Sequence, residues 1–456
     1  LLLLISVPSY GQFGSVTNFA GQPNRSGSQN GPRLEASFFE PTGGVFDSKG
    51  NLFTIEYSGS AIRKITPNGE VSVFAGIVGV RSSVDGQGAQ ARFSSIADIA
   101  IGAGDTLYVA EYNGQRIRKI DPQATVTTYA GSSWGFREGQ GSQAQFRYPT
   151  ALAIGADGSL YVADTDNNRI RKIDKDRNVT TFLGDGSATN RTGSLEQATI
   201  VKPRALAFDK DGNLLIATPN DLFRVDMANE TLEHLAGQGQ SNQSLDGPAL
   251  QATFRDIYSI AYHKDGGIFV GDRQTIRLLK DTHVVTLSGH QSSFSYAEGD
   301  LATAKYRYIG GLLSKGHDSL FIFDRSHHNI RLARVSDNPT LQAGTLSGNV
   351  TWTKANSPHY LNGDVVVPAG ATLTIEPGAI VQRNANYNIT VKGSLKAEGS
   401  ATEPILFSDG WNSQSLSSKF FIQFEEANLS DSKLSYLNAH SSAHSFNTRG
   451  LFLRTG

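Results

Sequence analysis

A fixed spacing of β-type runs that end in Gly constrains this chain more than any other feature. Seven such runs end at Gly21, Gly76, Gly131, Gly184, Gly237, Gly289 and Gly344, at successive distances of 55, 55, 53, 53, 52 and 55 residues. They include "VSVFAG", "VTTYAG" and "VTTFLG". Self-similarity at a period of this length predicts a repeat architecture and outweighs local assignments of secondary structure.

Each repeat contains four short β-type segments separated by Gly, Asp and Asn. In the third repeat they are "TALAI", "SLYVA", "RIRKI" and "VTTFL". No helical apolar spacing persists for long, and four antiparallel strands per repeat are typical of a propeller blade. We therefore predict an all-β chain with a six-bladed β-propeller of four-stranded blades. The seventh Gly-terminated run predicts that one terminus fastens the propeller, without indicating which one.

A second marker lies in the long connection between repeats. An Ala is followed two residues later by a large apolar residue, which we interpret as a wedge between neighbouring blades. The wedge residues are Phe38, Phe93, Phe146, Ile200, Phe254 and Tyr306. Six residues before each Ala lies a turn-type or acidic residue, for which we expect a turn-capping role: Asn30, Asp85, Glu138, Thr192, Asp246 and Glu298.

The segments "YVAEYNGQRIRKID" (108–121) and "YVADTDNNRIRKID" (161–174) carry a resemblance to a known family. Together with the period, they resemble the NHL-repeat β-propeller family in the form common in bacterial secreted proteins. The resemblance spans residues 16 to 344. It implies a ligand-binding scaffold rather than any one reaction, although some six-bladed relatives are enzymes such as lactonases and lyases.

The period stops after Gly344, and the phrase "VPAGATLTIEPGAIV" (367–381) marks a different region. Its short β runs between Gly and Pro-Gly turns resemble the start of a right-handed parallel β-helix of bacterial surface proteins. We expect a signal peptide remnant at 1–11, a propeller at 12–345, and a partial β-helix at 346–456 that continues in a longer chain.

The start of the chain and its composition suggest the compartment. "LLLLISVPSYGQ" is too short to span a bilayer and is typical of the end of a secretory signal. The net charge of −1 provides no field for nucleic acid or anionic lipid, and there is no Cys for disulfides or thiolate metal sites. We expect a secreted or cell-surface protein, with a monomeric propeller, no nucleic-acid partner and no membrane insertion.

The tip at 164–168 has the alternate spacing of a calcium loop. Asp164, Asp166 and Asn168 match its first half, but Arg169 and Lys175 occupy the places of the Gly and Glu that such a loop needs. Asp, Asn and Gly are also what a tight turn requires. We therefore interpret the segment as a turn and expect neither a resident metal nor another cofactor.

An acid ends the second β segment of nearly every repeat. These residues are Glu56, Glu111, Asp164, Asp272 and Asp324, with Thr218 in the fourth repeat. An active site is asymmetric, whereas a scaffold repeats. We interpret the acids as anchors that hold the tip through backbone N–H groups or an Arg, such as Arg116 or Arg169 five residues later.

Two function classes remain open after this survey. One is a binding or scaffold protein that uses the propeller face; the other is a metal-dependent lactonase- or lyase-type enzyme with its site in the central channel. The predicted innermost strands are small and apolar, with only Asp98 and Arg204 ionisable. This favours binding, and fold alone does not decide function.

The long connections before repeats three and six carry aromatic residues four and two places before Glu138 and Glu298, and the other four connections have none at the equivalent places. These residues are Trp134, Phe136, Phe294 and Tyr296, and alternating strand direction predicts that they lie on the face shared by tips and connections. We expect them, with Arg137 and Arg169 as polar contacts, to flank a surface for a glycan, protein or peptide ligand. The alternative is that these aromatics only anchor the connections to their own blades.

Overall fold

The computed structural model describes most of the chain. The described residues are 15–263, 266–291, 293–301, 303–316, 318–334, 340–354, 356–357, 359–383, 387–400, 403–409, 421–424, 432–435, 437–440 and 452–455. The expected signal remnant at 1–11 lies outside them. The chain forms two compact units, of which the first comprises Val16–Glu298 with Ala304–Ala333 and the main part of the second begins at Arg334.

The first unit is a six-bladed β-propeller, as predicted. Blade 1 consists of strands Pro41–Phe46, Leu52–Glu56, Ala61–Ile65 and Glu70–Gly76. Blade 2 consists of Ile96–Gly102, Thr106–Glu111, Arg116–Ile120 and Thr125–Ala130. Blade 3 consists of Pro149–Ile154, Leu160–Asp164, Arg169–Ile173 and Asn178–Leu183. Blades 4 and 5 consist of Ala205–Phe208, Leu214–Ala217, Leu222–Asp226 and Thr231–Ala236; and Ile257–Tyr262, Ile268–Asp272, Thr275–Lys280 and His283–Gly289. Blade 6 consists of Ile309–Lys315, Ser319–Asp324, Asn329–Arg334 and Ser15–Ala20.

Short elements complete the connections and tips. Two-residue strands lie at Gly31–Pro32, Gly86–Gln87, Gly139–Gln140, Gly193–Ser194, Gly247–Pro248 and Gly299–Asp300. Single 3₁₀ turns lie at Gly88–Gln90, Ala103–Asp105, Gly141–Gln143, Thr165–Asn167 and Arg325–His327. No helix in the described part of the chain is long and apolar enough to cross a membrane.

The N-terminal strand closes the propeller. Ser15–Ala20 pairs antiparallel with Asn329–Arg334, with Val16 opposite Ala333. The other candidate, Thr340–Thr345, pairs in parallel with His359–Val367 instead. The last strand that the chain contributes to the propeller is therefore Asn329–Arg334, and the expected boundary at residue 345 stays a prediction.

The wedge residues lie where the sequence placed them, between neighbouring blades. Phe93 packs among Ile62 and Ala75 of blade 1 and Ile99 of blade 2, and Phe146 occupies the same place between blades 2 and 3. All six wedge side chains are fully buried. Each contact between blades therefore depends on one large side chain supplied by the connection.

A buried ion pair joins the connection to its blade in five of the six blades. In blade 2, Glu111 and Arg118 are both fully buried and lie 2.8 Å apart. Glu111 also accepts the N–H of Ser94, next to the wedge, at 3.1 Å, and Arg118 donates to the carbonyl of Arg92 and to Asp85. The acid thus holds the tip as expected. The guanidinium partner of Glu111 is Arg118, seven residues later, and not Arg116. Asp85, expected to be a turn cap, is also an ion-pair partner of Arg118.

The same ion pair recurs around the propeller. Glu56 pairs with Arg63 at 3.0 Å, Asp164 with Arg171 at 3.0 Å, and Asp272 with Arg277 at 3.1 Å. In blade 6 the contact is looser, with Arg331 3.6 Å from Asp324. We call this set the blade ion pairs.

Blade 4 lacks both members of the blade ion pair. Thr218 replaces the acid, and Phe223 occupies the place of the guanidinium in the third strand, opposite His234 of the fourth. The Phe223 and His234 rings stack with their centres 4.9 Å apart. Loss of both charges together is consistent with physical expectation, because a single buried charge without its partner is costly.

The second unit is built from parallel strands. One sheet contains Val350–Trp352, Thr372–Ile375, Ser394–Glu398 and Lys433–Ser435; the other contains Thr340–Thr345, His359–Val367, Ile380–Arg383, Ile389–Val391, Ile405–Asp409, Phe421–Phe424, Leu437–His440 and Phe452–Thr455. Val350 pairs with Leu373, which pairs with Leu395, at steps of 23 and 22 residues. Inward side chains such as Leu373, Val381 and Leu395 form an apolar core.

The wedges should be strong determinants of stability. Phe93→Ala and Phe146→Ala each leave a buried cavity and should cost about 3–5 kcal/mol of the free energy of unfolding, measured by chemical denaturation. Leu250→Ala, at a side chain that is 56% exposed, is the control and should change it by less than about 0.5 kcal/mol. Equal effects in all three variants would contradict the wedge assignment.

Blade 4 supplies a design that tests the blade ion pairs. Arg118→Phe alone strands the buried Glu111 and should cost about 3–5 kcal/mol. Adding Glu111→Thr reproduces the blade 4 combination and should recover a large part of that loss in denaturation experiments. If the double variant is as unstable as the sum of the two single changes, the pair is not energetically coupled.

Candidate functional site

The tip at 164–168 is a turn whose polar side chains serve the fold. Asp164 is fully buried and ion-paired with Arg171. Asp166 lies 3.1 Å from Lys202 of the next connection, and Asn168 adopts the left-handed conformation that ends the 3₁₀ turn. The turn interpretation is consistent with this geometry, and the absence of calcium binding stays a prediction. Among the described residues, no group of three or more His, Asp or Glu side chains could hold a metal ion.

The two predicted aromatics before blade 3 stack against guanidinium groups. Trp134 is 54% exposed and lies 4.5 Å from Arg147, while Phe136 is 44% exposed. Phe136 lies 4.0 Å from Arg169 and 4.8 Å from Arg171, measured from the guanidinium carbon to the ring centre. Both rings are therefore anchored to their own blade and still offer substantial surface to a ligand.

The predicted polar contacts, Arg137 and Arg169, are both engaged with the backbone. Arg137 donates to the carbonyl of Gln143, and its own carbonyl accepts from Arg171 at 3.2 Å. Arg169 donates to Asn167 at 2.8 Å and also to Asp185. They shape the surface around Phe136.

The aromatics before blade 6 differ from each other. Phe294 is 63% exposed. Tyr296 lies under Arg331 at 4.6 Å and donates its hydroxyl to Glu298 at 2.7 Å. Burial and this hydrogen bond raise the pKa of Tyr296. Tyr296 thus anchors its connection, whereas Phe294 exposes most of its ring. The contacts of Tyr296 lie in blade 6 and not with Trp134 or Phe136.

A central channel runs between the first strands of the six blades. It contains a cavity of about 320 Å³ lined by residues of all six of these strands. The charged side chains among the lining residues are Asp98 and Arg204, with Tyr258 beside them. The sequence had indicated these two charged residues, but the lining also contains the hydroxyl side chains of Thr42, Thr150, Ser259 and Ser314 and is less apolar than expected.

Asp98 connects two blades inside the channel. Its carboxylate accepts the N–H of Ile99 in its own blade and that of Leu152 in blade 3, both at 2.8 Å. Burial raises the pKa of Asp98 to about 7, and the two backbone hydrogen bonds oppose this only in part. Asp98 is therefore close to half-ionised near neutral pH.

Arg204 heads a short polar chain at the channel entrance. It forms an ion pair with Asp256, whose second oxygen accepts the hydroxyl of Tyr258 at 2.6 Å. The guanidinium lies 5.1 Å from the Tyr258 ring centre. Burial and the Asp256 hydrogen bond raise the pKa of Tyr258, so this hydroxyl stays protonated and donates.

Tyrosines from five blades surround the entrance, and we call Tyr57, Tyr112, Tyr148, Tyr258 and Tyr308 the mouth tyrosines. Ring centres are 4.6 Å apart for Tyr258 and Tyr308, 6.2 Å for Tyr57 and Tyr112, and 4.6 Å for Tyr112 and Tyr148. All five are partly exposed.

Arg325 joins the two halves of this aromatic rim. Its guanidinium lies 4.4 Å from the centre of the Tyr57 ring and 5.5 Å from that of Tyr308. It also pairs with Glu40 at 3.1 Å. Although burial works against ionisation, the hydrogen bond from Ser58 and the charge of Arg325 lower the pKa of Glu40. Glu40 and Arg325 are thus a stable pair of opposite charges.

Sequence reasoning missed the mouth tyrosines, although a signal existed. Most of the rim lies at two positions of the repeat: directly after the recurrent acid, and two residues after the wedge. In chain order the first position holds Tyr57, Tyr112, Thr165, Pro219, Arg273 and Arg325, and the second holds Glu40, Ser95, Tyr148, Lys202, Asp256 and Tyr308. Positions that vary between blades beside positions that repeat could have indicated the site.

Comparison with known proteins supports the repeat type. Residues 132–297 match the family model of the Teneurin NHL domain. NHL repeat-containing protein 2 of Bos taurus is 30% identical over 178 residues, which cover 35% of this chain and 24% of that protein. Protein SUPPRESSOR OF QUENCHING 1 of Arabidopsis thaliana is 29% identical over 129 residues, covering 26% and 12%. The chain spans a quarter or less of these relatives, so their activities do not transfer to it.

Solved structures support the propeller fold. An auxiliary nutrient binding protein from Bacteroides thetaiotaomicron aligns with a TM-score of 0.56 and 16% identity, over 71% of this chain and 77% of that one. A second such protein, from Bacteroides ovatus, gives 0.53 and 14% over 71% and 77%. At these identities the likeness shows the fold alone.

Asp98 should make stability depend on pH. Its folded pKa of about 7 exceeds the unfolded value of about 3.9. The folded state therefore holds the proton more tightly, and stability is lost as pH rises from about 4 to 7. Asp98→Asn removes this dependence. The free energy of unfolding of the variant minus that of the wild type should therefore rise by roughly 1–3 kcal/mol from pH 5 to pH 8, measured by urea unfolding.

Asp211→Asn is the control for this experiment, because the Asp211 side chain is 62% exposed. It should track the wild type at both pH values. Parallel curves for all three proteins would show that Asp98 does not titrate in this range.

Proposed function

We propose that the protein is a secreted or cell-surface binding protein whose propeller holds a glycan or protein ligand on the face that carries the tips and the long connections. One observation carries the proposal: the residues at the two rim positions differ from blade to blade, while the blade ion pairs behind them repeat. A scaffold needs repetition, and a ligand site on a rigid scaffold is built from the positions free to vary.

The outer aromatics extend this face away from the channel. Trp134, Phe136 and Phe294 keep large exposed fractions, and the first two are held in place by guanidinium groups. A ring that is already ordered loses little entropy when a ligand stacks on it. We propose Trp134, Phe136, Phe294 and Tyr296, with Arg137 and Arg169 beside them, as outer contacts.

We also propose that the second unit is the start of a right-handed β-helix in a secreted bacterial protein. Its support is the parallel pairing at steps of 22 and 23 residues, which matches one strand per coil. The two Bacteroides propellers named above are described as auxiliary nutrient binding proteins. The binding role is proposed here on geometry.

An enzyme with its site in the channel is the second candidate. Asp98 favours it, because a carboxylate with a pKa of about 7 that faces a cavity is suited to take up a proton. A metal-dependent lactonase- or lyase-type reaction would need further ligands beside Asp98. The binding role is preferred because Asp98 and Arg204 are the only charged side chains among the lining residues, and Arg204 is already paired with Asp256.

The outer contacts can be tested on arrays of glycans and peptides. The double variant Trp134→Ser and Phe294→Ser should weaken binding about tenfold or more, as expected when aromatic anchors are removed, with an unchanged melting temperature. Leu34→Ser with Leu250→Ser, which changes two exposed Leu side chains, is the matched control and should bind as the wild type does. A wild-type protein that binds nothing on either array would overturn the proposed function.

A further inference from the structure

We infer that the mouth tyrosines form a saccharide site that takes the end of a neutral glycan chain. The inference rests on the proposed binding function and adds a place and a ligand class to it. Three features of the site support this inference: its aromatic surface, the charges around it and the shape of the cavity.

The aromatic surface is continuous over most of the entrance. Tyr258 and Tyr308 are in contact, Arg325 bridges Tyr308 to Tyr57, and Tyr112 links Tyr57 to Tyr148. Tyrosine offers a flat apolar ring and a hydroxyl that can donate and accept. Sugar rings present the complementary pair of features, apolar C–H faces and hydroxyl edges.

Guanidinium groups already cover ring faces that a cationic ligand would need. Aromatic rings attract cations through their faces, but Arg325 already lies over Tyr57 and Tyr308, and Arg204 lies over Tyr258. An ammonium group would meet two guanidinium groups there. The aromatic rim is therefore unsuited to cation capture.

The charges below the rim disfavour an anionic ligand. Arg325 is paired with Glu40 and Arg204 with Asp256, so each guanidinium has a carboxylate beside it. Asp98 stands further inside and is partly ionised at neutral pH. A carboxylate or sulfate group entering the channel would approach the partly ionised Asp98. A neutral polyhydroxyl ligand meets neither penalty.

The paired charges still have hydrogen bonds to offer. The planar guanidinium of Arg204 carries five N–H groups, of which Asp256 takes only part, and carboxylate oxygens accept more than one hydrogen bond. Arrays of donors and acceptors in one plane suit the vicinal hydroxyls of a sugar. Arg204 and Asp256 are partly exposed at the cavity entrance and are the groups we assign to this contact.

The shape of the site selects the end of a chain. The cavity is enclosed by the first strands of all six blades rather than open as a groove, and Tyr258 is the mouth tyrosine that lines it. A terminal unit can enter such a cavity directly, whereas the two flanking arms of an internal segment need an open groove. The cavity of about 320 Å³ is at the lower limit for small-ligand pockets, which suits a terminal unit better than a long segment.

The ligand class is tested with neutral oligosaccharides of glucan, mannan, galactan and xylan, and with uronate and glucosamine oligomers, by saturation-transfer NMR and calorimetry. At least one neutral series should bind the wild type, with the charged series weaker by about tenfold or more. Tyr112→Ala and Tyr148→Ala should each weaken binding about tenfold or more, and Tyr112→Phe by less, because it keeps the stacking surface.

Tyr129→Ala is the matched control. Tyr129 pairs with Tyr108 at 5.1 Å in the outer strand of the same blade, away from the channel, so its loss should leave affinity unchanged. Melting temperatures are recorded for every variant, and Tyr57→Ala provides an independent test from another blade. Full affinity in the variants at 57, 112 and 148 would overturn the site.

Recognition of chain ends is tested with one series of increasing length. Potency in competition should follow the molar concentration of chain ends and not the mass of polysaccharide. Potency that follows mass would show that internal segments bind, and a charged series that binds best would overturn the ligand class. Array binding that depends on Trp134 and Phe294 but not on the mouth tyrosines would leave the proposed function intact and remove this inference.

Discussion

The buried ion pair found in five of the six blades is the interaction on which the propeller depends. In blade 2, the guanidinium of Arg118 pairs with Glu111 at the end of the second strand. It also contacts Asp85 and the carbonyl of Arg92, both in the connection that precedes the blade. One guanidinium thus fixes the tip, the third strand and the wedge segment together. Two charges taken out of water are stable only when such geometry satisfies both. This demand makes the same residues recur from blade to blade, and blade 4 shows the allowed exception, in which both charges disappear.

The satisfied ion pairs determine where a ligand site can be. The carboxylates and guanidinium groups of the frame are fully buried in the blades that keep tight pairs, so they offer nothing to a ligand. One residue beyond each acid, the chain emerges at the channel entrance and is free to differ. Tyr57 and Tyr112 occupy this position in blades 1 and 2, whereas Arg325 occupies it in blade 6. The repeated frame and the variable rim are therefore two consequences of the same tip geometry.

Much of the fold was predictable, because spacing encodes it. The 52–55 residue period predicted six blades, and the large apolar residue two places after each Ala predicted the wedges. Two features were not predictable from local pattern. Arg116 and Arg118 share one face of their strand, and only packing decides that Arg118 is the buried partner of Glu111. The closing strand was ambiguous because both terminal runs end alike, and the pairing of Val16 with Ala333 spans the whole propeller.

The candidate site was predicted only in part, for a related reason. The exposed aromatics of single connections, such as Trp134 and Phe294, can be found one at a time in a sequence. The mouth tyrosines come from five blades, and Arg325 meets both Tyr308 and Tyr57 only because blade 6 lies next to blade 1 in the closed propeller. That neighbourhood exists because the N-terminal strand completes blade 6. A ligand that contacts Tyr57 and Tyr308 together therefore binds the closed form alone, and by mass action it stabilises the closure that creates its own site.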